Sequence, residues 1–233
     1  MGHRKFSVPS FCEERVMTNS KIVNDSGPSH AIGTYTPIVS IYANASCLRN
    51  GSSDRSAGGG AVIVDRNRAE LKLLSTYLGT VTNQQAEILA CTTALEELRR
   101  PCRVEMFSDS RYVVDTMNGK NRMKSNRSFW MQLVQQSYGH HVTWRWVKGH
   151  DGFYLQEAAD RLARAASATG KDLLPEDLEF LTERLAFDGD QLSIRPFEIE
   201  IEKIVDRHRA FSSTSVDNPK FGVKAEPPSA FSY

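Results

Sequence analysis

Four short motifs in this sequence place chemically active side chains near the ends of separate secondary-structure elements. They are YANAS, TNQQAE, FSDS and a stretch that runs from VKGHDG to EAADRLARAA. The first motif contributes the amide of Asn44, and the others contribute the carboxylates of Glu87, Asp109 and Asp160. Carboxylates that converge from separate elements can bind Mg²⁺, and a pair of such ions can promote phosphodiester cleavage. The last motif also holds His150, whose side-chain type transfers protons near neutral pH.

The elements that must position these motifs follow from the hydrophobic pattern. IVSIYA, AVIVD and ELKLLSTYLG are three β-rich runs, joined by the loop LRNGSSDRSAGGG and the turn RNRA. Connections this short predict an antiparallel meander. TNQQAEILACTTALEEL then has helical spacing, with Thr82 or Asn83 as its N-cap and Pro101 beyond its end.

Strands and helices alternate in the following segment. RVEMFS and HVTWRWV predict strands, while DSRYVVDTMNG, NRSFWMQLVQQSY and LQEAADRLARAASA predict helices. Asn126 is available to cap the second of these helices, and we expect Trp144 and Trp146 to share a core-facing side of the last strand. The order β-β-β-α-β-α-α-β-α predicts an α/β fold with a mixed five-stranded sheet, three antiparallel strands and then two parallel ones, flanked by helices.

The two ends of the chain differ from this central part. Residues 1–36 mix Ser, Asn, Gly, Pro and charged residues without a period, which predicts a flexible N-terminal arm. Residues 37–170 form the predicted domain, and residues 171–233 form a C-terminal extension. In the extension, LLPEDLEFLTERLAF predicts an amphipathic helix, while QLSIRPFEIEIEKIV fits a strand or a helix. The extension is either packed on the domain, with a disordered end, or a docking segment for a protein partner.

Composition narrows the class of protein. The hydrophobic content of 40% and charged content of 24% are ordinary for a globular domain, and no apolar run is long enough to predict a membrane span or a signal peptide. Four cysteines without a C-x-x-C pair argue against zinc sites and disulfide scaffolds, so we expect a cytoplasmic protein. Because the net charge is only +1, binding of a polyanion must depend on local clusters and metal ions.

In this order, the motifs resemble those of type 1 ribonuclease H, and the resemblance covers roughly residues 38–168. That family has a strand ending in Asp followed by Gly or Ala and a small residue, then T-N-x-x-A/M-E and [TS]-D-S. A V-x-G-H loop follows, ahead of a helix that reads x-E-x-x-D-x-L-A-R. The resemblance implies an endonuclease that hydrolyses the RNA strand of RNA–DNA hybrids with two Mg²⁺ ions, or Mn²⁺ in their place. It further implies that four positions bind metal and are catalytic, namely Asn44, Glu87, Asp109 and Asp160.

Asn44 departs from the family pattern, in which an Asp at this position bridges both metal ions. An amide has one neutral carbonyl oxygen, where a carboxylate has two oxygens and a full charge. We therefore expect weaker metal binding and slow or absent hydrolysis, with hybrid binding retained because the side-chain shape hardly changes. Two origins fit: a substitution made to trap substrate, or a natural non-cleaving homologue. We favour the first, because the other three acids and His150, which by resemblance assists proton transfer or product departure, are retained.

By the same resemblance, several polar residues contact the hybrid. Contacts to 2′-hydroxyls distinguish RNA from DNA, and the matching positions are Asn50, Asn83 and Gln84. A DNA phosphate is held in the family at the positions of Thr82 and Asn126, although some relatives carry an arginine at the position of Thr80 here. Asn83 and Asn126 are equally interpretable as helix caps. The basic stretch KNRMKSNR, which includes Lys124 and Arg127, is either a phosphate-binding loop or solvated surface.

Two other functions fit part of this pattern. A transposase or integrase core shares the sheet and the acidic cluster, but it lacks the combination of TNQQAE with VKGH. A catalytically inactive hybrid-binding or scaffold subunit of a nucleoprotein complex would use the fold without cleavage. Asn44 and the C-terminal extension both keep this second alternative open.

Overall fold

The structure, a computed structural model, describes residues 36–149, 153–185 and 194–214. The elements within these residues are β1 (Ile38–Leu48), β2 (Ser56–Asp65), β3 (Glu70–Gly79), α1 (Asn83–Glu96), β4 (Arg103–Ser108), α2 (Arg111–Met117), α3 (Arg127–Tyr138), β5 (His141–Trp146), α4 (Tyr154–Thr169), α5 (Pro175–Leu185) and α6 (Arg195–Thr214). No helix in the described part of the chain has the length and apolar character needed to cross a membrane.

The five strands form one mixed sheet in the order β3-β2-β1-β4-β5. The β1–β2 and β2–β3 pairs are antiparallel, and the β1–β4 and β4–β5 pairs are parallel, which confirms the predicted sheet. Tyr42 in β1 lies opposite Phe107 in β4, and Asn44 and Asp109 each follow two residues later. Both side chains therefore belong to the same edge of the sheet, where the parallel strands end.

The predicted loop LRNGSSDRSAGGG is shorter in the structure, where residues 49–55 form the connection and both ends of the motif are strand. β1 continues to Leu48 and β2 begins at Ser56, so the three consecutive glycines lie within β2. The prediction was wrong for the glycines, because glycine is a poor strand former in general, whereas in β2 the close approach of α4 requires residues without a side chain. A Cβ atom at Gly58 would lie 2.3 Å from the carbonyl oxygen of Ala163, and one at Gly60 would lie 2.2 Å from that of Ala159.

Two hydrophobic cores lie on opposite faces of the sheet. Alternating residues of β2 divide between them, with Ile63 in the first core and Val62 in the second. The first core lies under α1, α2 and α3 and includes the fully buried side chains of Ile41, Ile88, Met106, Trp130 and Leu133. The second core lies under α4, α5 and α6 and includes Leu162, Leu181, Phe197 and Ile204.

The described part of the C-terminal extension packs on the domain. Its second segment is a helix and not a strand, and α6 buries Phe197 and Ile201 in the second core. Arg161 of α4 is ion-paired with Glu198 of α6 at 2.7 Å. The buried Asp177 of α5 pairs with Arg207 and His208 of α6. Residues 1–35 and 215–233, with most of the predicted arm and the end of the extension, lie outside the described residues.

Candidate active site

Glu87 and Asp109 form the acidic centre of the site. Glu87 lies in the second turn of α1, and Asp109 follows directly after β4. Both oxygens of Glu87 accept hydrogen bonds, Oε1 from Asn83 Nδ2 at 2.9 Å and Oε2 from Ser110 Oγ at 2.5 Å. Ser110 is also the N-cap of α2, where its Oγ accepts from the backbone N–H of Val113. The starts of α1 and α2 therefore fix the Glu87 carboxylate next to Asp109.

The charges in this centre repel one another. Burial raises the pKa of Glu87, and the negative charge of Asp109 raises it further, while hydrogen bonds from Ser110 and Asn83 oppose the rise. Burial and the same two carboxylates raise the pKa of the Cys91 thiol, one helical turn after Glu87. The pair thus concentrates negative charge in a partly desolvated place, which favours the binding of a cation.

Asn44 is half-buried in β1, where it lies opposite Gly60 of β2. Its Oδ1 accepts a hydrogen bond from the backbone N–H of the next residue, Ala45, at 2.8 Å. The single oxygen of the amide is therefore partly engaged by its own backbone.

Asp160 lies in α4, on the stretch that covers β2 at Gly60, next to Asn44 along the sheet. Its carboxylate is largely buried and pairs with Arg164, one turn later, at 2.8 Å. Within the described residues, no three His, Cys, Asp or Glu side chains are grouped closely enough to hold a metal ion. The structure thus places Glu87 near Asp109, whereas Asp160 is ion-paired with Arg164 on α4, which covers the other face of the sheet. The predicted His150 lies outside the described residues.

The donor atoms at this edge fit a hard divalent cation. The four positions offer only carboxylate and amide oxygens, which suit Mg²⁺ or Mn²⁺ and not zinc. A Cβ atom at Gly149 would lie 2.9 Å from Oδ2 of Asp109, so a side chain at this position would crowd that oxygen. Asn44 reduces the charge that the four positions offer from −4 to −3.

The residues expected to read 2′-hydroxyls are close together. Oδ1 of Asn50 accepts from the backbone N–H of Asn83 at 3.4 Å, and Gln84 follows as an exposed residue in the first turn of α1. The thiol of Cys47 lies 3.8 Å from the same Asn50 oxygen. Cys47 was not predicted from the sequence, where its one signal is its place between Asn44 and Asn50. Because Asn83 also binds Glu87, this group is continuous with the acidic centre.

The two positions expected to hold a DNA phosphate are joined by a residue that the sequence analysis missed. Thr82 is the N-cap of α1 and forms a capping box with Gln85. Nε2 of Gln85 donates to Oδ1 of Asn126 at 3.2 Å, and Nδ2 of Asn126 donates to the hydroxyl of Tyr112 at 3.3 Å. The T-x-x-Q spacing was the available signal for Gln85.

Asn126 does not cap α3 with its side chain. It occupies the N-cap position with a left-handed φ of 57°, but its side chain makes no capping hydrogen bond. The cap interpretation was wrong because the amide is already engaged by Gln85 and Tyr112. Asn83 is likewise no cap, since Thr82 takes that position.

The predicted basic loop is exposed, and it belongs to a longer basic segment. Residues 110–149 contain one acidic residue, Asp115, and seven basic ones: Arg111, Lys120, Arg122, Lys124, Arg127, Arg145 and Lys148. Lys124 and Arg127 are both exposed. Although the whole chain is almost neutral, this segment therefore has a local excess of positive charge.

Trp146 is not in the core as predicted. Trp144 is 8% exposed, whereas Trp146 is 38% exposed and donates from Nε1 to the main-chain oxygen of Asp109 at 3.0 Å. Trp146 is the last residue of β5, where the strand reaches the edge of the sheet that holds the acids. The alternation of side chains along β5 predicts that Trp144 and Trp146 lie on the same face of the sheet. It does not predict how far along the strand the helices cover that face.

Comparisons with known proteins match the residues that build this site. The profile of the RNase H family matches residues 36–168. A ribonuclease H of Phenylobacterium zucineum (strain HLK1) is 37% identical over 142 residues, covering 55% of this chain and 90% of the relative. A ribonuclease H of Nitratidesulfovibrio vulgaris (strain DP4) is 40% identical over 157 residues, covering 61% and 96%. The crystal structure of LC9-RNase H1, a type 1 RNase H with the type 2 active-site motif, aligns with a TM-score of 0.53 and 26% identity, covering 70% of this chain and 86% of that one.

Proposed function

The chain belongs to the RNase H family of endoribonucleases, and we propose that it binds RNA–DNA hybrids but hydrolyses the RNA strand poorly because of Asn44. The observation that carries this proposal is the neutral amide of Asn44 at the same sheet edge as the Glu87–Asp109 pair. Three acids and the surrounding hydrogen bonds suit metal-dependent hydrolysis, whereas the amide removes one of the charges that would hold the metal.

Asn44, Glu87, Asp109 and Asp160 are the residues that would hold the divalent cations. Two Mg²⁺ ions, when bound, would activate a water molecule and stabilise the leaving oxygen. Asn83 and Ser110 orient Glu87, because each donates to one of its carboxylate oxygens. Arg164 restrains the Asp160 carboxylate through their ion pair. His150 is proposed to assist proton transfer or product departure.

The start of α1 would lie against both strands of the hybrid. Asn50, Asn83 and Gln84 would contact 2′-hydroxyls of the RNA strand, and their connection to Glu87 would place that strand at the acids. Thr82 and Asn126, joined through Gln85, would hold a phosphate of the DNA strand. Lys124 and Arg127 would add sequence-independent attraction to phosphates.

A second function is supported by the same amide. A hybrid-binding or scaffold subunit of a nucleoprotein complex would need the 2′-hydroxyl and phosphate contacts but not the full set of carboxylates. Asn44 leaves those contacts in place, because it lies in the sheet and not in the first turn of α1. The two functions predict different results when Asn44 is replaced by Asp. The nuclease function predicts a gain of RNA cleavage, and the scaffold function predicts none.

Asn44→Asp tests both functions with a labelled RNA–DNA hybrid and Mg²⁺ or Mn²⁺. We expect the variant to cleave the RNA strand more than about 100-fold faster than the unmodified chain, since even indirect support of a metal ligand contributes 10–100-fold. We also expect equal hybrid affinity in EDTA, and a larger rise in melting temperature with Mg²⁺ for the variant.

Asp109→Asn in the Asn44→Asp background is the matched control, because it again leaves one amide among the four positions. It should abolish the gained cleavage without loss of hybrid binding. If both chains bind the hybrid and neither cleaves it, the scaffold function replaces the nuclease function. If the unmodified chain binds no hybrid, both functions are wrong.

A further inference from the structure

Arg111 and Trp146 form a stacked pair that none of the roles above uses. The guanidinium carbon of Arg111 lies 3.7 Å from the centre of the Trp146 ring system. The indole is itself fixed, because its N–H donates to the main-chain oxygen of Asp109 at 3.0 Å. The Arg111 side chain is therefore held in place beside one of the proposed metal-binding residues.

The elements explain why the pair lies at the acidic edge. Arg111 is the first residue of α2, two positions after Asp109. Trp146 is the last residue of β5, opposite Ser108 of β4, and the pairing continues with a hydrogen bond from the backbone N–H of Val147 to the carbonyl of Ser108. Both partners thus project from the ends of neighbouring parallel strands, where the carboxylates also lie.

Apart from its contact with the Trp146 ring, the charge of Arg111 has no ionic partner in the part of the chain that the structure describes. Two other basic residues of the same segment have acidic partners, Lys120 with Asp115 and Arg145 with Glu105. Within the described residues, Arg111 is exposed and has no carboxylate partner. Stacking on an indole leaves the N–H donors at the edge of a guanidinium available, and it reduces the entropy lost when they bind a ligand.

We propose that Arg111, positioned by Trp146, binds a backbone phosphate of the hybrid next to the phosphate that lies at the acids. This inference rests on the proposed binding of hybrids. A guanidinium fork matches the geometry of a phosphate, and a cation beside the carboxylates would balance the repulsion between them and an incoming polyanion. The indole holds the guanidinium and is not a platform for a base, because Arg111 covers its face.

The test measures binding of a short fluorescein-labelled RNA–DNA hybrid in EDTA, by anisotropy over a range of salt concentrations. Arg111→Gln should weaken binding about tenfold, as expected for one charged hydrogen-bonding contact. It should also reduce the slope of log affinity against log salt by about one. Arg111→Lys should keep the slope while binding more weakly, since it keeps the charge and loses the fork.

Trp146→Leu tests the positioning role. It should weaken binding about threefold without a change in the salt slope, because Arg111 stays charged but loses its support. The matched control is Arg99→Gln, an exposed arginine before the opposite end of β4, which should leave affinity and slope unchanged. Melting temperatures establish that each variant is folded.

The outcomes separate this inference from the proposed function. If the unmodified chain binds the hybrid and Arg111→Gln matches it in affinity and salt slope, Arg111 contacts no phosphate and the inference is wrong, while hybrid binding stands. An equal loss in Arg99→Gln would overturn it too, since the effect would then reflect net charge alone. If the unmodified chain binds no hybrid, the proposed function fails and this inference fails with it.

Discussion

Asn44 contributes one neutral oxygen to a site that otherwise collects negative charge. The raised pKa of Glu87 has burial as its main cause and the charge of Asp109 as a further one, so these acids already oppose one another without a cation. A third carboxylate beside them would increase that repulsion in the metal-free protein. The amide of Asn44 thus avoids additional repulsion between carboxylates in the metal-free protein. It also removes a negative charge that would bind a metal ion.

His140 provides a prediction about pH. Its Nδ1 accepts from the backbone N–H of Cys102, and burial lowers its pKa. The unfolded chain, with a histidine pKa of about 6.5, therefore takes up a proton at a higher pH than the folded chain does. The contribution to stability should be complete above about pH 7. It should decrease as the pH falls below about 6.5, and level off once the pH is below the lowered folded-state pKa.

Urea unfolding from about pH 5 to pH 8 measures this effect. His140→Asn is the appropriate comparison, because its amide oxygen can accept the same hydrogen bond without titrating. The difference in unfolding free energy between the two proteins should change in favour of the variant as the pH falls. Parallel pH profiles would contradict the assignment to His140.

Residues with a role in a short motif could be predicted from the sequence, whereas residues with a role in a tertiary contact could not. The positions of Asn44, Glu87 and Asp109 follow from motifs at the ends of predicted elements. Gln85 and Trp146 acquire their roles from residues far along the chain, since Gln85 bonds to Asn126 and Trp146 bonds to the backbone of Asp109. Helical or strand periodicity contains no information about such distant partners.

At the scale of elements, the contact between β2 and α4 decides where Asp160 lies. Gly58 and Gly60 let the helix backbone approach the strand directly. The hydroxyl of Ser75 in β3 donates to the carbonyl of Leu162, and Nε2 of Gln156 donates to that of Ala43, so α4 is also hydrogen-bonded to the sheet. The order and type of the strands and helices could be predicted from hydrophobic periods. The strand conformation of the glycine run could not be predicted, because glycine is needed there for contact with α4, a helix about a hundred residues later in the chain.

Gly60→Ala should push α4 away from the sheet. The added Cβ would lie 2.2 Å from the carbonyl oxygen of Ala159 and 2.4 Å from the nitrogen of Ala163, and these backbone atoms cannot move without the helix. We expect a loss of about 1–3 kcal/mol in the free energy of unfolding, measured in urea, as for an overpacked core.

The matched control for this change is Gly139→Ala at the end of α3. Gly139 has an ordinary φ of −75°, and an added Cβ there meets nothing within 4 Å. This variant should be neutral or stabilised by up to about 1 kcal/mol, because alanine restricts the unfolded chain. Equal effects at Gly60 and Gly139 would mean that the approach of α4 does not constrain the strand.

At the scale of the whole molecule, both faces of the sheet carry apolar side chains that helices must bury. The RNase H profile ends within α4, yet the second core continues beyond it into α5 and α6. Removal of residues 171–233 would therefore uncover apolar side chains such as Val62 and Leu73, in addition to removing any docking segment. A change in oligomeric state after that deletion would not by itself identify a docking role.

Phe197→Ala separates packing from docking without deletion of the extension. Phe197 is fully buried in the second core, and loss of its ring should lower the free energy of unfolding by about 3–5 kcal/mol, a large part of the stability of a typical domain. Ile199→Ala is the matched control, because Ile199 lies two residues later on α6 and is 46% exposed. It should change the stability by no more than about 0.5 kcal/mol. If urea unfolding gave the two variants equal stability, α6 would not be part of the cooperative fold, and docking to a partner would become the better account of the extension.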